Sequence, residues 1–232
     1  AEEREAPLTP STLPEFGDPR AVKPTITGKN EISRYVNIVQ GCDNFCTFCV
    51  VPFTRGVEMS RPVSRIEDEI KRLADAGVRE VTLLGQNVNS YLDPSPSRAN
   101  FAQLLAAVGQ IPGVRRVRFT TSHPRDFTKD IIDAIDAVPS LCNHIHLPVQ
   151  SGSNAVLQKM GRHHKIEGYI AQMDRLREIC PDVGLSTDLI VGFPTETEED
   201  FQETLALLDR VQYDNIYAFA YSPRPGTRAA KL

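Results

Sequence analysis

The strongest constraint in this sequence is a group of three cysteines in the spacing CxxxCxxC: Cys42, Cys46 and Cys49. They follow an apolar, strand-like run from Tyr35 to Gln40, so we expect a loop in which three thiolates converge on one centre. A structural zinc needs four protein ligands, and a ferredoxin-type cluster needs four cysteines. The remaining cysteines, Cys142 and Cys180, lie far away in the sequence. We therefore predict a [4Fe–4S] cluster with one iron left open, because an open coordination position distinguishes a catalytic metal site from a structural one.

The cysteines also allow two other interpretations. A disulfide framework does not fit, because the chain has an odd number of cysteines, 5, and no signal peptide. A zinc site that borrows a distant fourth ligand stays open, and it would make the chain a non-catalytic, zinc-stabilised RNA-binding module.

The composition predicts one soluble α/β-sized domain. The chain has 232 residues, of which 41% are hydrophobic and 24% charged, and its net charge of −4 gives no electrostatic sign of a nucleic-acid binder. No apolar run approaches the roughly 18 residues of a membrane span, so we expect no membrane association. The expected location is the cytoplasm, where thiols stay reduced and can bind iron.

The chain divides into two parts. Residues 1–30 contain five prolines among Glu, Thr and Ser, which predicts an extended linker from a preceding domain. The first residue is Ala rather than Met, which also indicates a piece of a longer polypeptide. Residues 31–232 are predicted to form the core domain.

From Arg34 onward, short β-branched runs alternate with amphipathic helical patterns, which is typical of βα units around a parallel sheet. Six such units predict an α/β fold, a partial and open (β/α)6 barrel related to the TIM barrel. Ser64 and Glu67 match a capping box at the start of the first long helix, and Thr197 precedes three acids that suit a helix N-terminus.

Polar residues recur where the predicted strands end, at the edge where parallel α/β folds bind ligands. Their amides, hydroxyls and glycines suit a zwitterionic ligand that carries a ribose. Asp188 is the least ordinary member, because a carboxylate on an apolar strand must find partners. The group comprises Gln86, Asn87, Ser122, His123, Gln150, Ser151, Asp188 and the turn 192–196. Arg55 and Arg61 flank the cysteine loop, and they predict either RNA contact or anchoring of the loop.

The long motifs of the sequence resemble the MiaB-type tRNA methylthiotransferases of the radical S-adenosylmethionine (SAM) superfamily. The resemblance runs from about Tyr35 to the last residue. It rests on CxxxCxxC with Phe48 before the last cysteine, on Val50-Val51-Pro52-Phe53-Thr54-Arg55-Gly56, and on Gly85-Gln86-Asn87-Val88-Asn89-Ser90-Tyr91. One departure is visible in the Gly-Phe-Pro turn, where Thr195 stands at a position expected to be Gly.

The resemblance implies that Cys42, Cys46 and Cys49 bind the cluster and that SAM chelates its open iron. It assigns Gln86 and Asn87 to the methionine end of SAM. It assigns Gln150 and Ser151 to the ribose of SAM. It assigns Phe48 and the Gly192-Phe193 turn to the adenine. It also suggests Arg162 for the SAM carboxylate, since a guanidinium matches a carboxylate well. Asp188 completes the predicted cofactor-binding set.

The implied reaction is methylthiolation at C2 of N6-isopentenyladenosine beside the tRNA anticodon, with an electron-donor protein as a further partner. The family carries a second [4Fe–4S] cluster in an N-terminal domain and a C-terminal RNA-binding domain. This chain alone is therefore expected only to bind and cleave SAM. The rival within the superfamily modifies an aspartate of a ribosomal protein. Asn87 favours the tRNA substrate, since the rival branch has Asp there.

Overall fold

The computed structural model describes residues 31–232, so the predicted linker, residues 1–30, lies outside the described residues. The chain alternates strands and helices as the sequence predicts. In order, the elements are β1 (Ser33–Asn37), β2 (Val39–Gln40), α1 (Val51–Arg55), β3 (Met59–Ser60), α2 (Val63–Asp75), β4 (Glu80–Leu84), α3 (Phe101–Gly109), β5 (Arg116–Phe119), α4 (Lys129–Ala137), β6 (His144–His146), α5 (Asn154–Met160), α6 (Ile166–Ile179), β7 (Gly184–Val191), α7 (Glu198–Val211) and β8 (Asn215–Ala220).

Six of the strands form a parallel curved sheet in chain order. One half is β1-β4-β5 and the other is β6-β7-β8. A single parallel bridge between Val117 and Leu141 joins the halves, and a bridge between Gln150 and Leu189 extends the β6–β7 pairing. Within residues 31–232, β1 and β8 are the two outer strands. The predicted open, six-stranded partial barrel is confirmed.

The helices bury apolar stripes against the sheet. On α2 the stripe contains Ile66, Ile70 and Leu73. The predicted capping box of Ser64 and Glu67 is wrong, because α2 begins at Val63, directly after Pro62, without a side-chain cap. A proline fixes φ in the range that starts a helix. Across the part of the chain that the structure describes, no helix has both the length and the apolar surface needed to cross a bilayer.

The helix α7 begins as predicted. Thr197 accepts a hydrogen bond from the Asp200 amide at 3.2 Å, and the Asp200 carboxylate accepts one from the Thr197 amide at 3.0 Å. The two side chains satisfy amides that the helix leaves free.

A short antiparallel hairpin, which the sequence did not predict, closes the base of the cysteine loop. It pairs β2 with β3, so residues 41–58 form the loop between them. Gly41 starts the loop with a φ of +80°, and a Cβ there would lie 2.0 Å from the Val57 carbonyl oxygen. Only glycine fits this close approach of two backbones. The hairpin therefore fixes both ends of the loop at the carboxyl end of β1.

Candidate active site

The three cysteines lie in the loop between β2 and β3, and all three are free thiols. Cys42 and Cys46 are 9% exposed, and Cys49 is half-buried. The amide of Gly41 donates to Oε1 of Gln86 at 2.6 Å, and the amide of Cys42 donates to the Gly56 carbonyl at 3.2 Å. The start of the loop is therefore held both by its own end and by the residues that follow β4.

Distant segments hold the middle of the loop. The Thr47 amide donates to the Met160 carbonyl at 2.8 Å, and its hydroxyl donates to the Lys159 carbonyl at 2.9 Å. The amide of Ala229 donates to the Thr47 carbonyl at 2.9 Å, and the Arg228 guanidinium donates to the Phe45 carbonyl at 2.6 Å. These contacts connect the loop to the end of α5 and to the last residues of the chain.

Burial raises the pKa of two of the three thiols, Cys42 and Cys49, and so favours their protonated form. Burial raises the pKa of Cys42 to about 11, against an opposing hydrogen bond from the Asn44 backbone, and Cys46, Glu58 and Cys49 raise it further. Burial also raises the pKa of Cys49. A metal binds thiolates, so binding must release these protons.

The donor set fits an iron–sulfur cluster with three cysteine ligands. Three sulfur donors share one fixed loop, and the Val51 amide donates to Sγ of Cys49 at 3.4 Å, as amides do around cluster sulfurs. Among residues 31–232, no three His, Cys, Asp or Glu side chains are grouped tightly enough for a single metal ion. A cluster needs no such grouping, because each cysteine binds a different iron.

Arg162 lies against the cysteine loop. It is only 5% exposed, its Nη2 donates to the Pro148 carbonyl at 2.5 Å, and its Nη1 lies 3.8 Å from Sγ of Cys46. Burial lowers the pKa of the guanidinium, and the thiolates of Cys46, Cys49 and Cys42 oppose that shift. Its assignment to the SAM carboxylate stays a prediction, while its contact with Sγ of Cys46 is seen in the structure.

The residues after β4 and β5 form a buried polar group. Nδ2 of Asn87 donates to Oδ2 of Asp126 at 2.6 Å, whereas Oδ1 of Asn87 is buried and has no hydrogen-bond partner among residues 31–232. Ser122 Oγ and His123 Nε2 are likewise buried without partners. Buried polar atoms without partners are expected to gain them from a ligand or from water. The assignment of Gln86 and Asn87 to SAM stays a prediction. No sequence pattern indicated that Asp126 would belong to this buried polar group.

A cavity of about 360 Å³ lies at the ends of β7 and β8, and Phe48, Gln150 and Asp188 all line it. The structure thus brings together three of the predicted cofactor-binding residues. Asp188 is 30% exposed, with its Oδ1 at 3.5 Å from Nε2 of His146. Phe48 contacts Phe193 edge-to-face with 6.5 Å between ring centroids. Aromatic rings beside an accessible carboxylate suit an adenosine, whose hydroxyls can donate to that carboxylate.

Ser151 does not face this cavity. It is fully buried, its Oγ accepts a hydrogen bond from the Ser153 amide at 3.2 Å, and it lies 3.4 Å from Oγ1 of Thr204 on α7. The position is that of a residue that joins the β6 end to α7. Its predicted contact with the ribose stays a prediction.

Thr195 adopts the glycine-like backbone of the turn after β7. Its φ is +74°, in the left-handed region that glycine favours, and its hydroxyl accepts a hydrogen bond from Nζ of Lys159 at 2.6 Å. The Glu196 carboxylate accepts hydrogen bonds from the amides of Gly192 and Phe193. These contacts hold the turn in shape although threonine replaces glycine.

Arg61 anchors the loop from inside the protein. It is 4% exposed, and its guanidinium donates to the Asn37 carbonyl at 2.5 Å and to the buried carboxylate of Glu69 at 2.6 Å. Arg61 therefore connects the strand after the loop to β1 and α2, and its buried side chain is not exposed for RNA contact. Glu69 was missed, although it falls on the apolar stripe of α2, between Ile66 and Leu73. An acid in such a stripe signals a buried partner.

Comparisons with known proteins agree with this site. Residues 36–208 match the family model of the Radical SAM superfamily. The tRNA-2-methylthio-N(6)-dimethylallyladenosine synthase of Koribacter versatilis is 56% identical over 198 residues, which are 85% of this chain and 44% of that protein. The synthase of the same name from Clostridium botulinum is 53% identical over 207 residues, 89% of this chain and 46% of that protein. The chain therefore spans about half the length of the curated relatives it matches.

Solved structures share the fold at low sequence identity. The radical S-adenosylmethionine methyltransferase TsrM from Kitasatospora setae, solved with cobalamin and a [4Fe–4S] cluster bound, superimposes with a TM-score of 0.68. It is 17% identical, and the match covers 84% of this chain and 38% of that one. This likeness confirms the architecture of the partial barrel.

Proposed function

The chain belongs to the radical SAM superfamily, and from that premise we propose that it is the SAM-cleaving domain of a tRNA methylthiotransferase. The whole protein would convert N6-isopentenyladenosine beside the anticodon to its 2-methylthio derivative. The cofactors predicted from the sequence, a [4Fe–4S] cluster and SAM, are those of the superfamily. The observation that carries the chemistry is the loop of three cysteines, two of them buried and one half-buried, fixed at the carboxyl end of the sheet. The tRNA substrate is supported by the relatives that are 56% and 53% identical.

Each part of the site has a proposed task. Cys42, Cys46 and Cys49 would bind three irons of the cluster, and Gln86 would keep the loop in place through the Gly41 amide. When bound, the cluster and SAM supply the one-electron chemistry that breaks an unactivated C–H bond. Phe48 and Asp188 would hold the adenosine part of SAM in the 360 Å³ cavity. For this chain alone we propose the part of the activity that these residues carry, SAM binding and reductive cleavage.

The remaining partners follow from the same proposal. The substrate would be tRNA and the electron would come from a donor protein, so the whole protein would work in the cytoplasm. A second [4Fe–4S] cluster would supply the sulfur from a domain other than the one described here.

The experiment that tests the proposal is anaerobic reconstitution with iron and sulfide. We expect a brown protein with about four irons per chain, whose absorbance changes when SAM is added. With a strong reductant, it should convert SAM to methionine and 5′-deoxyadenosine. A variant with Ala at Cys42, Cys46 and Cys49 should lose both iron and product, whereas Cys180→Ala should keep both, because Cys180 lies outside the loop.

Three outcomes would contradict the proposal. A colourless protein with one zinc per chain would favour the zinc-stabilised RNA-binding module. A brown protein that never cleaves SAM would remove the catalytic assignment. If cleavage responds to a ribosomal protein and not to isopentenylated tRNA, the aspartate-modifying branch would replace the tRNA branch.

A further inference from the structure

Arg162 is a buried cation whose charge no carboxylate offsets. It is 5% exposed, and no Asp or Glu within residues 31–232 forms an ion pair with it. A buried charge is costly unless a group of opposite sign lies close to it. Its contacts in this structure are with the Pro148 carbonyl, 2.5 Å from Nη2, and with Sγ of Cys46, 3.8 Å from Nη1. The fold therefore places a buried positive charge against the cysteine loop.

The backbone fixes the position of this charge. Arg162 follows Gly161, which ends α5 with a left-handed φ of +69°, and its amide donates to the Leu157 carbonyl at 3.0 Å. On the same segment, the Met160 carbonyl accepts the Thr47 amide from the cysteine loop. The Met160 carbonyl thus holds the loop backbone, and the Arg162 guanidinium reaches Sγ of Cys46. Such an arrangement limits movement of the guanidinium relative to Cys46.

The two histidines beside Arg162 add no charge at neutral pH. His123 and His164 pack edge-to-face with 5.8 Å between ring centroids. Burial, followed by the charge of Arg162, lowers the pKa of His123 to about 2 and that of His164 to about 4. Both rings are neutral near pH 7. Arg125 also acts on Cys46, but it is 40% exposed and paired with Asp126. Arg162 is therefore the buried cation, without a carboxylate partner among residues 31–232, that acts on Cys46 from this side of the loop.

We propose that Arg162 is a positioning residue that raises the reduction potential of the cluster through Sγ of Cys46. Reduction adds one electron from the donor protein, and no bond or proton needs to move. The extra negative charge is shared by the ligand sulfurs, and a buried cation with an N–H group 3.8 Å from one of them stabilises the reduced form more than the oxidised form. This inference rests on the cluster-binding part of the proposed function. It differs from binding of the SAM carboxylate because it acts before SAM is present.

The test is a potentiometric titration of the reconstituted cluster without SAM, followed by electron paramagnetic resonance. For Arg162→Gln we expect the equilibrium constant for reduction to fall about tenfold, which is a drop of about 59 mV for one electron. Arg162→Lys should fall less, because an ammonium keeps the charge but cannot reach both Pro148 and Cys46. The matched control is Arg228→Gln, which removes an exposed arginine that contacts the same loop at the Phe45 carbonyl. Its charge is screened by water, so its reduction constant should change less than threefold.

A second measurement has its main result in the parent chain, so that result does not need the variants to fold. Protein made with arginine carrying ¹⁵N in the guanidinium group should show ¹⁵N coupling to the reduced, SAM-free cluster in pulsed spectra. The coupling should persist in Arg228→Gln and vanish in Arg162→Lys. An iron-loaded protein with no coupling, or with an unchanged potential in Arg162→Gln, overturns the inference and leaves the proposed function standing. Failure of the parent chain to bind iron would overturn both.

Discussion

The two sides of the site differ in how deeply their side chains are buried and in how many contacts hold them. On the cysteine side, which is the loop 41–58 with Gln86 and Arg162, the side chains of Cys42, Cys46 and Arg162 are buried, and the loop contacts distant parts of the chain. In the open cavity around Phe48, Gln150 and Asp188, the polar groups are half-exposed. The cysteine side is therefore held in place by contacts within the protein, whereas the cavity leaves its polar groups available for a ligand. Substitutions on the cysteine side should therefore cost stability, and substitutions in the open cavity should cost affinity.

The largest stability effect is expected from the buried pair of Arg61 and Glu69. Arg61→Met leaves the Glu69 carboxylate buried without its cation, so we expect a loss of about 3–5 kcal/mol in the free energy of unfolding. Urea unfolding measures it. The double variant Arg61→Met with Glu69→Leu should recover most of the loss, because neither charge remains. Equal losses in the single and double variants would show that the pair itself has no such role.

The next effect compares two glycines of the cysteine loop. Both have a φ of +80°, but a Cβ on Gly41 would lie 2.0 Å from the Val57 carbonyl oxygen, whereas a Cβ on Gly56 would meet nothing within 4 Å. Gly56→Ala should cost about 1–3 kcal/mol from backbone strain alone. Gly41→Ala carries the same strain and a backbone clash, so it should cost more and weaken iron retention. Equal unfolding free energies for the two variants would contradict the close approach at Gly41.

A pH effect of about 2 kcal/mol is expected from His123. Burial first, and then Arg162 and His164, lower its pKa from 6.5 to about 2. In the unfolded chain the ring takes a proton below its ordinary pKa, while in the folded chain it stays neutral. Its contribution is therefore complete above pH 6.5 and decreases by about 1.4 kcal/mol per pH unit below it.

His123→Asn tests this dependence. An asparagine oxygen can accept the Arg125 amide as Nδ1 of His123 does at 3.1 Å, but it does not titrate. Between pH 6.5 and pH 5, the parent should lose about 2 kcal/mol more than the variant. Parallel stability curves would show that the ring gains a proton in the folded protein.

The sequence was sufficient for features whose signal is local. The cysteine spacing, the six alternating units and the Thr197 cap each depend on residues close together in the chain, and the structure confirms the units and the cap. The predicted start of α2 was wrong because two local signals competed. The helix begins directly after Pro62 and is not capped by Ser64. Local patterns thus predict elements well and their exact ends less well.

Contacts between distant segments could not be predicted in the same way. The partners of Gln86 and Arg162 are 45 and 116 residues away in the chain, and no periodicity relates such positions. The hairpin of β2 and β3 consists of only two residues on each side, too few to show an alternating pattern. Glu69 is the exception, because its place in an apolar stripe announced a buried partner that the sequence did not identify.

The smallest effect on stability is expected in the open cavity, from Asp188→Asn. The Asp188 carboxylate is 30% exposed and has only His146 at 3.5 Å, so its loss should change the unfolding free energy by less than about 1 kcal/mol. The affinity for SAM should nevertheless fall about tenfold, because an amide oxygen without charge attracts the cationic ligand less and accepts its hydroxyls more weakly. Asp182→Asn, at the exposed opposite end of β7, is the matched control and should leave SAM binding unchanged. Calorimetry with reconstituted protein measures both affinities. A stability loss as large as that of Arg61→Met, with normal SAM affinity, would place Asp188 among the anchoring residues and erase the difference between the two sides of the site.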